Sequence, residues 1–223
     1  EVNRGARTHV NTDRDPTATT YLGLFFVALA TVMYEIVLTR IFSVTMWYHF
    51  AFVAISIAMF GMTVGAIIVY LRPAFFTQER VTEHLALSAA LFAVSAVVSF
   101  LISLFVPFDG DMTVSGVVST GVTYAIIAVP FVFSGVCVAL ALTKFPRRVA
   151  KLYAADLIGA ATGCLWVIVT LNLTDGPTAV IVVGSLAGVA AALFGARARP
   201  RLKRVTVAVA LVLAAFAALH TVL

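Results

Sequence analysis

Charge is scarce in this sequence. Asp, Glu, Lys and Arg make up 11% of its 223 residues and hydrophobic residues 62%, whereas soluble domains carry about a quarter charged residues. A chain so composed cannot cover a core with a water-facing surface, which excludes an ordinary soluble domain. Cysteine is nearly absent: Cys137 and Cys164 both fall in apolar runs, show no metal or redox spacing, and read as small core residues. The motifs of soluble catalysis are missing as well. No Gly-rich phosphate loop, nucleophile elbow or His-Glu-x-x-His occurs, so no catalytic residue, metal site or cofactor is expected in this chain. Asp109-Gly-Asp111 lacks the further spaced oxygens and closing Glu of a calcium loop and reads as a turn.

What the chain has in abundance is long apolar runs. Stretches able to cross about 30 Å of hydrocarbon at about 1.5 Å per residue fall near 20–43, 48–71, 84–106, 117–142, 152–173, 177–195 and 205–223. Backbone polar groups must be paired within lipid, and no alternating strand pattern appears, so the reading is an all-α, polytopic transmembrane bundle of about seven spans. The first 19 residues are polar, lack the apolar core of a signal peptide and read as a tail. A chain opening on Glu1 rather than Met reads as a processed or excised piece.

The net charge of +5 comes from basic residues concentrated in alternate connections rather than on a soluble face, which argues against nucleic acid as a partner and for the lipid bilayer. Arg4, Arg7 and Arg14 precede the first span; Arg72 and Arg80, then Lys144, Arg147, Arg148 and Lys151, then Arg197, Arg199, Arg201, Lys203 and Arg204 follow spans two, four and six. The opposite connections hold only Asp109, Asp111 and Asp175. The positive-inside rule therefore places the N-terminus in the cytoplasm of a multi-pass cell-membrane protein.

Close helix contacts are expected at Gly61-x-x-x-Gly65, Gly159-x-x-x-Gly163 and Gly184-x-x-x-Gly188, with Ser95, Ser99 and Ser103 as a small polar stripe. Pro130 is expected to kink the fourth span. Tyr21, Trp47, Tyr48, Tyr70 and Tyr153 stand at span ends, as an interfacial belt would.

Ionisable groups inside spans are the candidate functional residues, because each costs roughly 2.5–3.5 kcal/mol near the bilayer centre. Glu35 and Arg40 share the first span but lie about 140° apart around a helix, so each is expected to find its partner elsewhere. Thr31, Glu35 and Thr39 recur at i, i+4 and are expected to form a polar strip pointing into the bundle. Asp156 starts the fifth span's small-residue face, followed by Gly159, Gly163, Trp166 and Thr170. Glu35 lies about 22 Å into its span and Asp156 about 6 Å into its own, so one two-carboxylate site is not expected. Two readings stay open. Glu35 and Asp156, with Arg40, Tyr34, His49 and Trp166, line a cation or proton path or bind an amine; or they form a buried polar network that fixes helix register. His49 alone reads as a belt or loop residue.

Two blocks, Tyr34-Glu-Ile-Val-Leu-Thr-Arg-Ile41 continuing to Gly61-Met-Thr-Val-Gly65, and Leu152-Tyr-Ala-Ala-Asp-Leu-Ile-Gly-Ala-Ala-Thr-Gly-Cys164, resemble the multi-span region of spermidine-synthase-like membrane proteins. The resemblance implies a membrane domain that anchors or serves an aminopropyltransferase- or methyltransferase-like nucleotide-fold domain, appended or separate and absent from these residues. It implies transferase chemistry outside this chain and an amine or lipid-like substrate. It carries no catalytic residue over, and places Glu35, Arg40 and Asp156 in recurring membrane blocks. Seven spans from a cytoplasmic N-terminus put Leu223 on the far side, so a cytosolic domain joined there requires a different span count. The alternatives are a small cation- or proton-coupled transporter and a structural subunit of a membrane complex, with a second copy of the chain as a further candidate partner.

Overall fold

A computed structural model describes residues 15–45, 49–105 and 114–222. Seven helices follow one another: α1 (Ala18–Thr45), α2 (His49–Leu71), α3 (Val81–Phe105), α4 (Val114–Lys144), α5 (Val149–Leu173), α6 (Gly176–Gly195) and α7 (Pro200–Val222). All seven are long and apolar enough to cross a membrane. At about 1.5 Å per residue the shortest, α6 with 20 residues, reaches about 30 Å. The seven expected spans are therefore present, with shifted ends. α7 starts at Pro200 rather than near 205, so Arg201, Lys203 and Arg204 form its first turns instead of a loop, where their long stems can run along the helix while the charges reach water.

Lipid supplies no hydrophobic drive between helices, so their arrangement follows from where backbones can approach. A side chain added at Gly61 would meet the Ala128 carbonyl at 2.7 Å, and Gly65 abuts the Val132 carbonyl, which sets α2 parallel to α4. Gly159 rests on the Phe25 carbonyl and Gly163 on that of Leu29, at 2.7 Å, which sets α5 parallel to α1. Gly184 faces Val97 of α3 at 2.9 Å and Gly188 faces Ala210 of α7 at 2.9 Å. α6 thus lies between α3 and α7 while also touching α1. Each of the three glycine pairs serves the close contacts expected of it.

The interior is built by α1, α3, α4 and α6, with α2, α5 and α7 laid against them and largely outward-facing. Tyr34, Phe92, Phe131 and Phe194 are its largest fully buried side chains. α4 continues through the buried Pro130 as one helix. Ser95, Ser99 and Ser103 donate back to Phe92, Ala96 and Phe100 carbonyls of their own helix, so the stripe is mostly self-satisfied. Cys137 is buried, its thiol 3.6 Å from the Leu85 carbonyl. Cys164 is exposed, against expectation, because α5 buries only the face of Leu152, Gly159, Gly163, Val167 and Thr170. Of the expected aromatic belt, Tyr70 and Tyr153 are exposed, Tyr21 is half-buried, and Trp47 and Tyr48 lie outside the described side chains, as do Asp109 and Asp111.

One end of the bundle gathers the basic connections and is tied by polar contacts. The Gln78 amide donates to the Lys144 carbonyl at 2.7 Å, Arg199 pairs with Glu83 at 3.1 Å, and Arg148 pairs with Asp15 at 3.3 Å. Both ion pairs are partly exposed and contribute at most about 1 kcal/mol each. At the opposite end stand the last turns of α1, α3 and α5 and the first turn of α6.

Candidate functional site

The residues singled out from sequence do not converge. Glu35 is half-buried and Arg40 exposed. Among the described residues neither side chain has an ion-pair or hydrogen-bond partner, so the partner expected for each is not among them. The i, i+4 strip also fails to point inward as a whole. Four residues advance a helix by about 400°, so such a strip drifts about 40° per step. Thr31 sits inside, bonded to the Val27 carbonyl at 2.7 Å and to the Ser134 hydroxyl of α4 at 2.5 Å. Glu35 is already half outside, and Thr39 spends its hydroxyl on the Glu35 carbonyl at 2.8 Å.

Tyr34 is fully buried about 100° around the helix from Glu35. Its hydroxyl donates to the Ala96 carbonyl at 3.1 Å and lies 3.2 Å from Ser99 Oγ, while its ring is 5.2 Å from that of Phe131. Tyr34 therefore joins α1 to α3 and α4, and has no contact open to a ligand. Asp156 is half-buried on the α1-facing side of α5 with no partner among the described residues. The contacts of Gly159 with Phe25 and Gly163 with Leu29 give these parallel helices a constant offset of 134 residues. Asp156 is thus level with Leu22, about thirteen residues or about 20 Å along the axis from Glu35. The two acids stay apart, as their depths in sequence implied. Trp166 is half exposed on the outer face of α5. His49 opens α2, and its side chain lies outside the described residues.

One of the six does meet other chemistry. Arg40 lines a groove of about 690 Å³ at the end opposite the basic connections, between α1, α3, α5 and α6. Its walls are apolar: Ile36, Phe100, Leu104, Val167, Ile168 and Leu171 among others. Its polar groups are Arg40, Asn172, Thr174 and Asp175, all near helix ends. Gly176 holds this corner together, since a side chain there would meet Ile41 at 3.1 Å, keeping the start of α6 against α1 beside Arg40. The Asp175 carboxylate accepts the Thr178 hydroxyl one turn into α6. Asn172, Thr174 and Asp175 were not singled out as site residues from the sequence. Their one signal was that polar residues closing a span, beside Gly-Pro, face the same end as the span-embedded Arg40.

An apolar trough with a few polar groups at one end suits an amphipathic molecule: hydrocarbon along the walls, a polar group at the lip. Fold and groove together define a seven-span α-helical membrane bundle with an amphipathic recess at the end away from its basic connections. Comparison with protein-family models, with curated proteins and with solved structures finds no match to this chain.

Proposed function

We propose that this chain is an integral membrane domain that holds an amphipathic molecule, an amine or a lipid, in the groove at the end of α1, α3, α5 and α6, and serves a partner domain that acts on it. The observation that carries the reading is the combination in one recess of apolar walls with Arg40, Asn172 and Asp175. The resemblance of the Tyr34–Ile41 and Leu152–Cys164 blocks to the membrane region of spermidine-synthase-like proteins supports the partner. By the charge distribution the groove opens on the side away from the cytoplasm of the cell membrane. The cation-path reading draws less support, since Glu35 and Asp156 lie about 20 Å apart along their helices.

The test is photolabelling of the protein in nanodiscs with an alkylamine and a phospholipid, each bearing a diazirine on its chain, followed by peptide mapping. Adducts concentrated in 36–44 and 167–177 are expected. Labelling spread evenly over the outward faces of α2, α5 and α7 overturns the reading.

A further inference from the structure

The groove's charges are more specific than its shape. Arg40 and Asp175 line the same recess, one on α1 and the other at the start of α6, yet they do not pair with each other. Among the described residues neither has any other ion pair; Asp175 is oriented by the Thr178 hydroxyl alone. Opposite charges exposed at the polar end of one apolar recess, and not closed on each other, leave a place for a ligand that carries both signs. An anionic headgroup would satisfy Arg40 but set a second negative charge against Asp175, and a simple amine would do the reverse with Arg40. A zwitterion satisfies both.

We infer that the groove seats a phospholipid with a primary-ammonium headgroup, the phosphate against Arg40, the ammonium against Asp175 and Asn172, and an acyl chain along Phe100, Leu104 and Ile168. This deepens the proposed function and rests on the groove being its ligand site. Arginine forks suit phosphate oxygens. A primary ammonium offers three donors to the Asp175 carboxylate and the Asn172 amide oxygen, which a quaternary ammonium cannot. The groove also lies at a helix-end level, where a headgroup can stand while its chain points toward the bundle's middle. A second recess, about 420 Å³ between α3 and α7, is lined by valine, alanine and leucine alone. It accepts a chain but has nothing with which to choose a headgroup, so it serves as the internal control.

The experiment is native mass spectrometry of the full chain in detergent with added phosphatidylethanolamine, phosphatidylcholine, phosphatidylglycerol or a long-chain alkylamine, for wild type, Arg40→Gln, Arg40→Lys and Asp175→Asn. Thermal melting of each variant confirms that it is folded. One phosphatidylethanolamine is expected to be retained about tenfold more strongly than phosphatidylglycerol, with phosphatidylcholine between. Arg40→Gln and Asp175→Asn each reduce that retention about fivefold, Arg40→Lys less, and Asp175→Asn improves phosphatidylglycerol. Soluble phosphoethanolamine does not compete, because it lacks the chain. Equal retention of all three lipids, unchanged by the variants, overturns the inference and leaves only nonselective lipid contact. Retention of an alkylamine lost only in Asp175→Asn overturns it too while sparing the proposed function. Photolabelling that misses the groove removes both.

Discussion

α1 and α5 meet in two different ways along one interface. Toward the basic end, Gly159 and Gly163 put the two backbones in contact over Phe25 and Leu29. One to two turns on, α5 offers Val167, Ile168 and Leu171 in their place, and the helices border an open groove of about 690 Å³ with α3 and α6. The same pair of helices is thus a weld at one end and a recess at the other. Residue size decides which, since in lipid helices associate where close approach earns van der Waals contact. Close backbone contact and open space come from one sequence gradient.

Adding volume at each end tests that contrast most strongly. A leucine at Gly159 must displace the Phe25 backbone, and we expect a loss of about 3 kcal/mol, the upper part of the range for overpacking. Ile168→Phe adds volume at the groove, where its side chain is 57% exposed, and is expected to cost less than about 0.5 kcal/mol. Thermal melting in micelles, ranked against wild type, reads both. Equal losses would mean that the groove end is as tightly fitted as the glycine end and would dissolve the comparison.

The architecture was largely legible in the sequence because it depends on run length and glycine spacing, which are local. Seven spans and three glycine pairs needed no knowledge of neighbours. The candidate site was poorly legible because it depends on which helices meet. Glu35 and Arg40 were expected to have partners, but α1 turns Arg40 toward the groove and leaves Glu35 half outside, and neither pairs among the described residues. Cys164 read as core until α5 proved to bury a single narrow face. Asn172 closes a span and Asp175 sits in a connection, and only the packing of α1 against α5 and α6 makes them line the same groove as Arg40.

A smaller effect sharpens the comparison on the opposite side of α1, where polar bonds rather than glycine make the join. Tyr34→Phe removes the hydroxyl bonded to Ala96 and Ser99. Ser99 still donates to the Ala96 carbonyl at 3.4 Å, so no acceptor is stranded. The expected loss is about 0.6 kcal/mol, the average for a hydrogen bond between membrane helices. A melting shift as large as that of Gly159→Leu would show that the interior hydrogen bonds, and not the backbone contacts, hold α1 in place.

The smallest effect separates two glycines that look alike in sequence. On α4, Gly135 abuts the Met62 carbonyl of α2, whereas at Gly121 no described residue outside its own helix turn has a heavy atom within 4 Å of where its side chain would stand. Both are helical, so both carry the unfolded-state freedom that alanine would reduce. Only at Gly135 is that freedom offset by a contact that requires the missing side chain. Gly121→Ala is therefore expected to stabilise the protein by about 0.4 kcal/mol, whereas Gly135→Ala destabilises it. If melting shows Gly121→Ala to be as harmful as Gly135→Ala, another surface covers that part of α4, and the outward faces of the bundle are then protein interfaces rather than lipid contacts.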